Sequence, residues 1–333
     1  MHQQERRTAE SVSPCHPDKL CDQISDGVVD AYLAKDPLAR VAVEAVGGHG
    51  KVFITGEVTS QTSVDFKKIV KRIAGEVEVE VRIRTQSSEI AQGIDGGGAG
   101  DQGIMVGYAT NETPEGLPLE VVLARSLNQY LYRRWPYDGK TQITLKESEI
   151  ETIVASFQHA PQTELTEHVK EWARKVAPHY TKTAYFVKHR TSNPMLHINP
   201  AGDWNVGGFD ADAGLTGRKL VVDNYGPRIP VGGGCFSGKD PSKVDRSGAY
   251  MARKIAVDYL EKFQAKEVYV YLAYAIGYSQ PLQATAVVDG VTKKVMGYDL
   301  TPNGIIASLN LRQPVYEQTA IYGHFGHEQF AWG

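Results

Sequence analysis

The sequence predicts an α/β (α+β) protein of three similar lobes in pseudo-threefold arrangement, each a mostly antiparallel sheet covered by helices on one face. Three observations predict it. One order of elements, helix then long hairpin then helix, recurs three times along 333 residues. The strand segments alternate apolar with polar residues, as half-buried antiparallel strands do. The helical segments carry apolar residues at four-residue spacing, which lines one face. Sequence identity between the units is negligible, so order and periodicity carry the inference. Boundaries at 1–97, 98–210 and 211–333 follow, giving N-terminal, central and C-terminal α/β domains.

In the first unit, 17–34 is a helix with Leu20, Ile24 and Val28 on one face and Pro17 at its first turn. Residues 40–60 alternate Val41, Val43 and then Val52, Ile54 across a Gly-rich turn, which reads as a hairpin. A second helix occupies 63–73, and 77–83 alternates valine with charge as a strand. The second unit uses a helix at 117–132, strands at 141–145 and 152–159, a helix at 165–177 and a closing strand at 183–188. The third uses a helix at 240–263, with Asp240 as N-cap and Pro241 at its first position. Strands at 267–276 and 283–288 follow, and Pro302 opens a last helix near Thr301. Sheets covered on one side leave the other for a partner, so the alternation of Val268, Val270 and Leu272 makes a sheet-to-sheet homodimer the expected assembly.

The formal net charge is -3, so the chain carries no basic footprint for nucleic acid. The first ten residues, MHQQERRTAE, hold no apolar run for a signal peptide or membrane span, and a cytoplasmic, soluble protein is expected. Cys15, Cys21 and Cys235 have no paired spacing that would indicate a disulfide framework or zinc site.

Chemistry concentrates in Gly-rich, charged segments. Residues 232–246, GGGCFSGKDPSKVDR, read as a loop entering a helix, with glycines that allow close backbone approach and amides that face an anion. The spacing from Gly233 to Lys239 fits a P-loop, but Asp240 stands where the magnesium-binding Ser or Thr belongs. Residues 212–219, DAGLTGRK, add Asp212, Arg218 and Lys219. Either segment alone reads as a glycine turn beside a solvated charged helix; together they favour an anion site. SVSPCHPDK at 11–19 puts His16, Asp18 and Lys19 at the positive end of the first helix, where an acid suits magnesium and His16 suits donation to an anionic leaving group. AQGIDGGGAGDQG at 91–103 reads as a mobile loop bearing Gln92, Asp95, Asp101 and Gln102. Asp138-Gly139-Lys140 is an ordinary turn by itself, and Glu44 and Glu57 lie on the solvated face of the first hairpin. His324, His327 and Glu328 lack zinc-site spacing, and Phe325, Phe330 and Trp332 indicate a packed tail.

With HPDK at His16, GAGDQG at Gly98, GYATNE at Gly107, DAGLTGRK at Asp212, GGGCFSGKDPSKVDRS at Gly232 and YGHFG at Tyr322, the chain resembles the S-adenosylmethionine synthetase (methionine adenosyltransferase) family. The resemblance runs from about Thr8 to Trp332. It implies three α/β domains interleaved in space, and a homodimer, or a dimer of dimers, with active sites at the subunit interface. It also implies that ATP and L-methionine give S-adenosylmethionine, the tripolyphosphate being hydrolysed to phosphate and pyrophosphate. Two Mg2+ per site and K+ are the implied cofactors.

By the same resemblance His16 sits at the bridging oxygen, and Lys140, Arg218, Lys219, Lys239 and Lys243 hold phosphates. His16, Lys140, Arg218 and Lys239 form the implied catalytic set. Asp18 and Asp245 are implied magnesium ligands and Glu44 a potassium ligand. Glu57, Gln92, Asp101, Asp212 and Lys243 fall to methionine, Asp138 to the ribose, and Trp204 to the adenine, where the family usually has phenylalanine. Cys15 replaces the usual glycine before HPDK, and the lid segment at 94–99 is several residues shorter than the family's, which implies weaker closure over the site. A P-loop-like ATPase or kinase, and an inactive nucleotide-binding regulatory subunit, are the competing readings.

Overall fold

A computed structural model describes residues 6–85, 97–188 and 192–333. Gln92, Asp95 and the first half of the shortened lid, 94–96, lie outside the described residues. The chain forms a three-part α+β fold, and among the described residues its three sheets each contain four strands.

The first sheet has the order β4-β3-β2-β9, with β2 Arg40–Gly48, β3 Lys51–Thr59, β4 Glu78–Arg84 and β9 Gly214–Leu215. The second is β1-β6-β7-β8, with β1 Arg6–Val12, β6 Gly139–Lys146, β7 Glu149–Phe157 and β8 Met195–Ile198. The third is β12-β11-β10-β5, from β5 Gly103–Thr110, β10 Glu267–Tyr274, β11 Gln283–Val288 and β12 Val291–Lys294. Pairing is antiparallel except for β3 with β4 and β7 with β8. Each sheet therefore borrows one strand from a distant stretch of chain: β9, β1 and β5 all cross over.

Helices α1 Pro17–Leu33 and α2 Phe66–Ala74 cover the first sheet, α3 Leu119–Tyr132 and α4 Gln162–Lys175 the second, and α5 Val244–Phe263 the third, with α6 Pro302–Ser308 packed on α5. Local chemistry sets their ends. Asp65 caps α2 by accepting from the Lys68 amide at 3.0 Å, Lys71 and Arg72 face its negative end, and Gly75 leaves it at φ 78°. Thr301 caps α6 through the Gly304 amide at 3.0 Å, with Pro302 in the first turn. One buried apolar cluster joins the first and third sheets, and a second lies beneath β6 and β7. No helix among the described residues is long and apolar enough to cross a membrane.

Two expectations fail. Residues 183–188 form no strand; Lys182 and Phe186 have φ of 55°, and Tyr185 turns fully inward to accept from the Ile150 amide at 2.8 Å. The short β8 completes that sheet instead. The third-unit helix begins at Val244, so Asp240 is not its N-cap. Its carboxylate holds the turn before the helix, accepting from Ser242 N at 2.8 Å and Val41 N at 2.6 Å.

Candidate active site

The predicted site residues fall into two groups, both organised by α1. His16 is the N-cap of α1, and its Nδ1 accepts from the Asp18 amide at 3.2 Å. That bond fixes the neutral tautomer, leaving the proton on Nε2 as a donor. Burial, then the nearby Lys219 and Lys140 charges, push the imidazole down to about 3, so it stays neutral. Asp18 accepts from the Leu215 amide at 3.0 Å and from Lys219 Nζ, and Arg218 Nε approaches within 3.6 Å. Burial opposes its ionisation, but the Lys219 and Leu215 bonds outweigh it and hold the carboxyl below its usual range. Lys140 stands exposed on β6 opposite Val12, close enough to act on His16.

Asp138 precedes β6 and is buried, with Oδ2 accepting from Gly208 N at 3.0 Å. Burial raises its pKa against the Gly208 and Gly139 amides, and Asp212 lies near enough to add repulsion. Trp204 flanks the same loop: its carbonyl accepts from His159 N at 2.9 Å, and a Cβ on Gly207 would meet its ring at 2.8 Å. His16, Asp18, Lys140, Arg218, Lys219, Asp138, Asp212 and Trp204 thus belong to one region.

The second group surrounds the 232–246 loop. Lys239 Nζ pairs with Asp245 at 2.6 Å, and Lys243 pairs with Asp240. Lys239 also bridges to Ala42 of β2, and a cavity of about 260 Å3 between Glu44, Thr55, Cys235 and Lys239 lies beside that bridge. Glu57 pairs across the ladder with Ala42 and Glu44 with Thr55, so both carboxylates lie on that same sheet face. Asp101 is exposed before β5 and accepts from its neighbour Gln102 N at 2.8 Å.

Not all the loop glycines serve a ligand. A Cβ on Gly232 would meet the Ile104 carbonyl at 2.0 Å, and one on Gly238, at φ 83°, the Val43 carbonyl at 1.9 Å. A Cβ on Gly234 would strike Asp245 at 2.2 Å, while one on Gly233 meets nothing within 4 Å among the described residues. Gly232 and Gly238 pack the loop onto β5 and β2, whereas no described residue crowds Gly233. Lys19 of HPDK also turns inward, to Asp223 at 2.7 Å and Asp22 at 3.1 Å, away from any ligand.

Sequence reasoning missed the device that joins the groups. Asp18, Asp22, Asp26 and Asp30 recur every four residues on one face of α1. Asp18 holds Leu215 and Lys219; Asp22 accepts from Gly217 N at 2.8 Å; Asp26 accepts from Gly238 N at 2.8 Å; Asp30 accepts from Tyr316 N and Glu317 N at 2.9 Å. Asp26 also makes a bidentate pair with Arg246 at 2.6 and 2.8 Å, both side chains fully buried. The remaining Arg246 donors go to Lys239 O, Tyr250 Oη and Thr319 Oγ1, and its guanidinium lies 4.2 Å from the Tyr316 ring centre. One helix face therefore registers both cation-bearing loops.

Comparison with known proteins decides the family. The S-adenosylmethionine synthetase N-terminal domain matches residues 4–96, the central domain 96–204 and the C-terminal domain 206–333. The chain belongs to the S-adenosylmethionine synthetase family. S-adenosylmethionine synthases of Clostridium tetani and Treponema denticola are 42% and 40% identical to it, covering 96% and 98% of this chain and 93% and 94% of their own lengths. That of Salinispora tropica is 41% identical over 98% of this chain and 95% of its own length. As a synthetase of this family the chain is a transferase that makes S-adenosylmethionine.

The synthetase family needs a divalent metal and a monovalent cation. No group of three or more His, Cys, Asp or Glu among the described residues is arranged as a metal cage. Asp18 and Asp245, oxygen donors set beside lysines, still fit a divalent ion of the magnesium type, which takes one or two carboxylates and completes its shell with water and substrate phosphates.

Proposed function

We propose that the methionine sulfur attacks C5′ of ATP in line, expelling tripolyphosphate that is then hydrolysed to phosphate and pyrophosphate. The observation that carries this is His16: a neutral imidazole whose Nδ1 is occupied, leaving an Nε2 donor among Lys140 and Lys219. Charge appears on the bridging oxygen as the bond to C5′ breaks, and a fixed N–H donor there stabilises the transition state more than the ground state. Lys140, Arg218, Lys219, Lys239 and Lys243 take the phosphate charge in this reading. Three of them are already held by carboxylates, Lys219 by Asp18, Lys239 by Asp245 and Lys243 by Asp240. Their positions are set before ATP arrives.

Asp18 and Asp245 hold Mg2+ and Glu44 holds K+ in the same reading. Bound cations supply countercharge to the triphosphate. Glu57, Gln92, Asp101, Asp212 and Lys243 receive methionine, Asp138 the ribose, and the Trp204 ring the adenine. The outward position of Glu44 and Glu57 supports a homodimer in which a second copy completes each site.

The test is an incubation with ATP, L-methionine, magnesium and potassium, followed by product analysis. S-adenosylmethionine with equimolar phosphate and pyrophosphate is expected. ADP formed without methionine would support a kinase or ATPase instead, and no product would support a binding subunit.

A further inference from the structure

A cavity of about 640 Å3, away from both groups above, opens between the loop after β5, the later turns of α5 and the C-terminal tail. It shares Glu115, Gly326 and His327 with a neighbouring cavity of about 220 Å3. Arg253 lines the larger and Arg125 the smaller, and these residues are 1% and 6% exposed.

Both arginines spend their bonds on main-chain oxygens. Arg253 donates to Gly333, Tyr108, Gly116 and Glu115 oxygens, and Arg125 to those of Phe325, Val222 and Asn224. Amide carbonyls satisfy donors without cancelling charge, and the Asp223 and Glu115 carboxylates offset only part of the burial cost at Arg125. Burial pushes both guanidinium groups down to about 10, and for Arg125 the neighbouring Arg253 adds to it against Asp223. Among the described residues Arg125 Nε is buried with no partner, and so is Glu115 Oε2, although Glu115 Oε1 accepts from Tyr180 Oη at 3.2 Å. A guanidinium has five donors, and neither arginine has spent all of them. Val257 and Leu260 give the larger cavity an apolar wall, while Glu261 and Glu328 stand exposed at its rim.

We propose that this cavity is a second ligand site, for an α-amino acid zwitterion that carries an extra positive charge. Its carboxylate goes to the buried arginine pair, its cationic centre to Glu261 and Glu328, and its apolar part to Val257 and Leu260. S-adenosylmethionine has this chemistry, with a carboxylate, an ammonium and a sulfonium. Naming it as the occupant rests on the reaction proposed above and makes the cavity a product-sensing site. The volume lies within the range of small-molecule pockets.

The cavity also has physical routes to the chemistry. Asp245 and Arg246 occupy the first turn of α5, and Val257 lies on the same helix about 18 Å further along its axis. Arg125 holds the carbonyls on both sides of Asp223, which pairs with Lys19 next to Asp18. A carboxylate that draws on either guanidinium acts on elements that carry the two cation groups.

The experiment compares the wild type with Glu261→Lys/Glu328→Lys, two exposed substitutions outside the reacting groups. Equilibrium dialysis with labelled S-adenosylmethionine should show one more molecule bound per protomer in the wild type than in the variant. Added S-adenosylmethionine should still inhibit the wild type severalfold at saturating ATP and methionine but not the variant, while kcat without added product stays within twofold. A second variant, Val257→Phe, should lose the same extra binding by filling the cavity. Equal stoichiometry, or inhibition that saturating substrates abolish in the wild type, would overturn the proposal. Failure to form S-adenosylmethionine from ATP would overturn the reaction instead, and the dialysis result would still decide the cavity.

Discussion

Replacing Asp26 with asparagine tests whether burial, not geometry, sets the worth of an ion pair here. Asp26 and Arg246 bond at 2.6 and 2.8 Å with both side chains at 0% exposure. Arg72 and Glu317 make an equally good fork at 2.6 Å for both bonds, but their side chains are 56% and 24% exposed. In Asp26→Asn the amide nitrogen faces a guanidinium donor, and the Arg246 charge loses its bonded counterion inside the protein. Removing one partner of a buried pair costs about 3–5 kcal/mol. Glu317→Gln should cost about 0–1 kcal/mol, because water and flexible side chains already weaken that pair. Urea unfolding monitored by fluorescence and circular dichroism measures both. Asp26→Asn/Arg246→Met should recover part of the loss, since it removes the stranded charge. A cost below about 1 kcal/mol for Asp26→Asn, or equal costs for the two single variants, would refute the reasoning.

Other expectations follow from the same geometry. Lys140→Met and Lys239→Met should each lower kcat by about a hundredfold or more if they stabilise leaving-group charge, and steady-state kinetics showing full activity would remove them from the site. His16→Asn keeps a helix-capping oxygen but removes the titrating ring. The folded pKa of about 3 lies below the unfolded value of 6.5, so between these pH values the unfolded chain binds the extra proton and stability falls as pH falls. By pH 4 the wild type should have lost about 3 kcal/mol relative to His16→Asn, fully regained above pH 6.5; parallel urea midpoints for the two proteins would refute it. A Cβ at Gly214 would meet the Pro17 carbonyl at 2.1 Å, whereas one at Gly233 meets nothing within 4 Å. Gly214→Ala should therefore cost about 1–3 kcal/mol and at least about tenfold in kcat by moving β9 off α1. Gly233→Ala should stay within about 0.5 kcal/mol of wild type on thermal unfolding.

Local patterns were legible in the sequence where a single segment carries its own signal. Leu20, Ile24 and Val28 announce α1, Pro302 after Thr301 announces α6, and the charged motifs mark the cation-bearing loops. Reading α1 for its apolar face alone hid the four aspartates on the other, because a carboxylate row on a helix ordinarily reads as solvated surface. Only the approach of three distant loops turns that row inward. Asp240 misled for a related reason: its partner, Val41 N, lies on another sheet, so the Asp-Pro pair looked like a helix start. Residues 183–188 have strand-like composition, but Tyr185 gains more by filling the core beside Ile150 than by joining a ladder. The pairings of β1, β5 and β9 leave no local trace, since nothing within a strand names a partner far along the chain, and β9 is only two residues long.

Those borrowed strands constrain how the molecule comes into being. On the ribosome, β1 emerges first but must wait for β6, and β2 must wait for β9 before its sheet is closed. β5 likewise waits for β10, which lies in the last part of the chain. No third of the polypeptide builds its sheet from its own strands alone: the second sheet is complete once β8 has emerged and the first once β9 has, while β5 keeps an open edge until β10 follows. Closure of the third sheet should therefore come last, in a slow step dominated by contacts between remote residues.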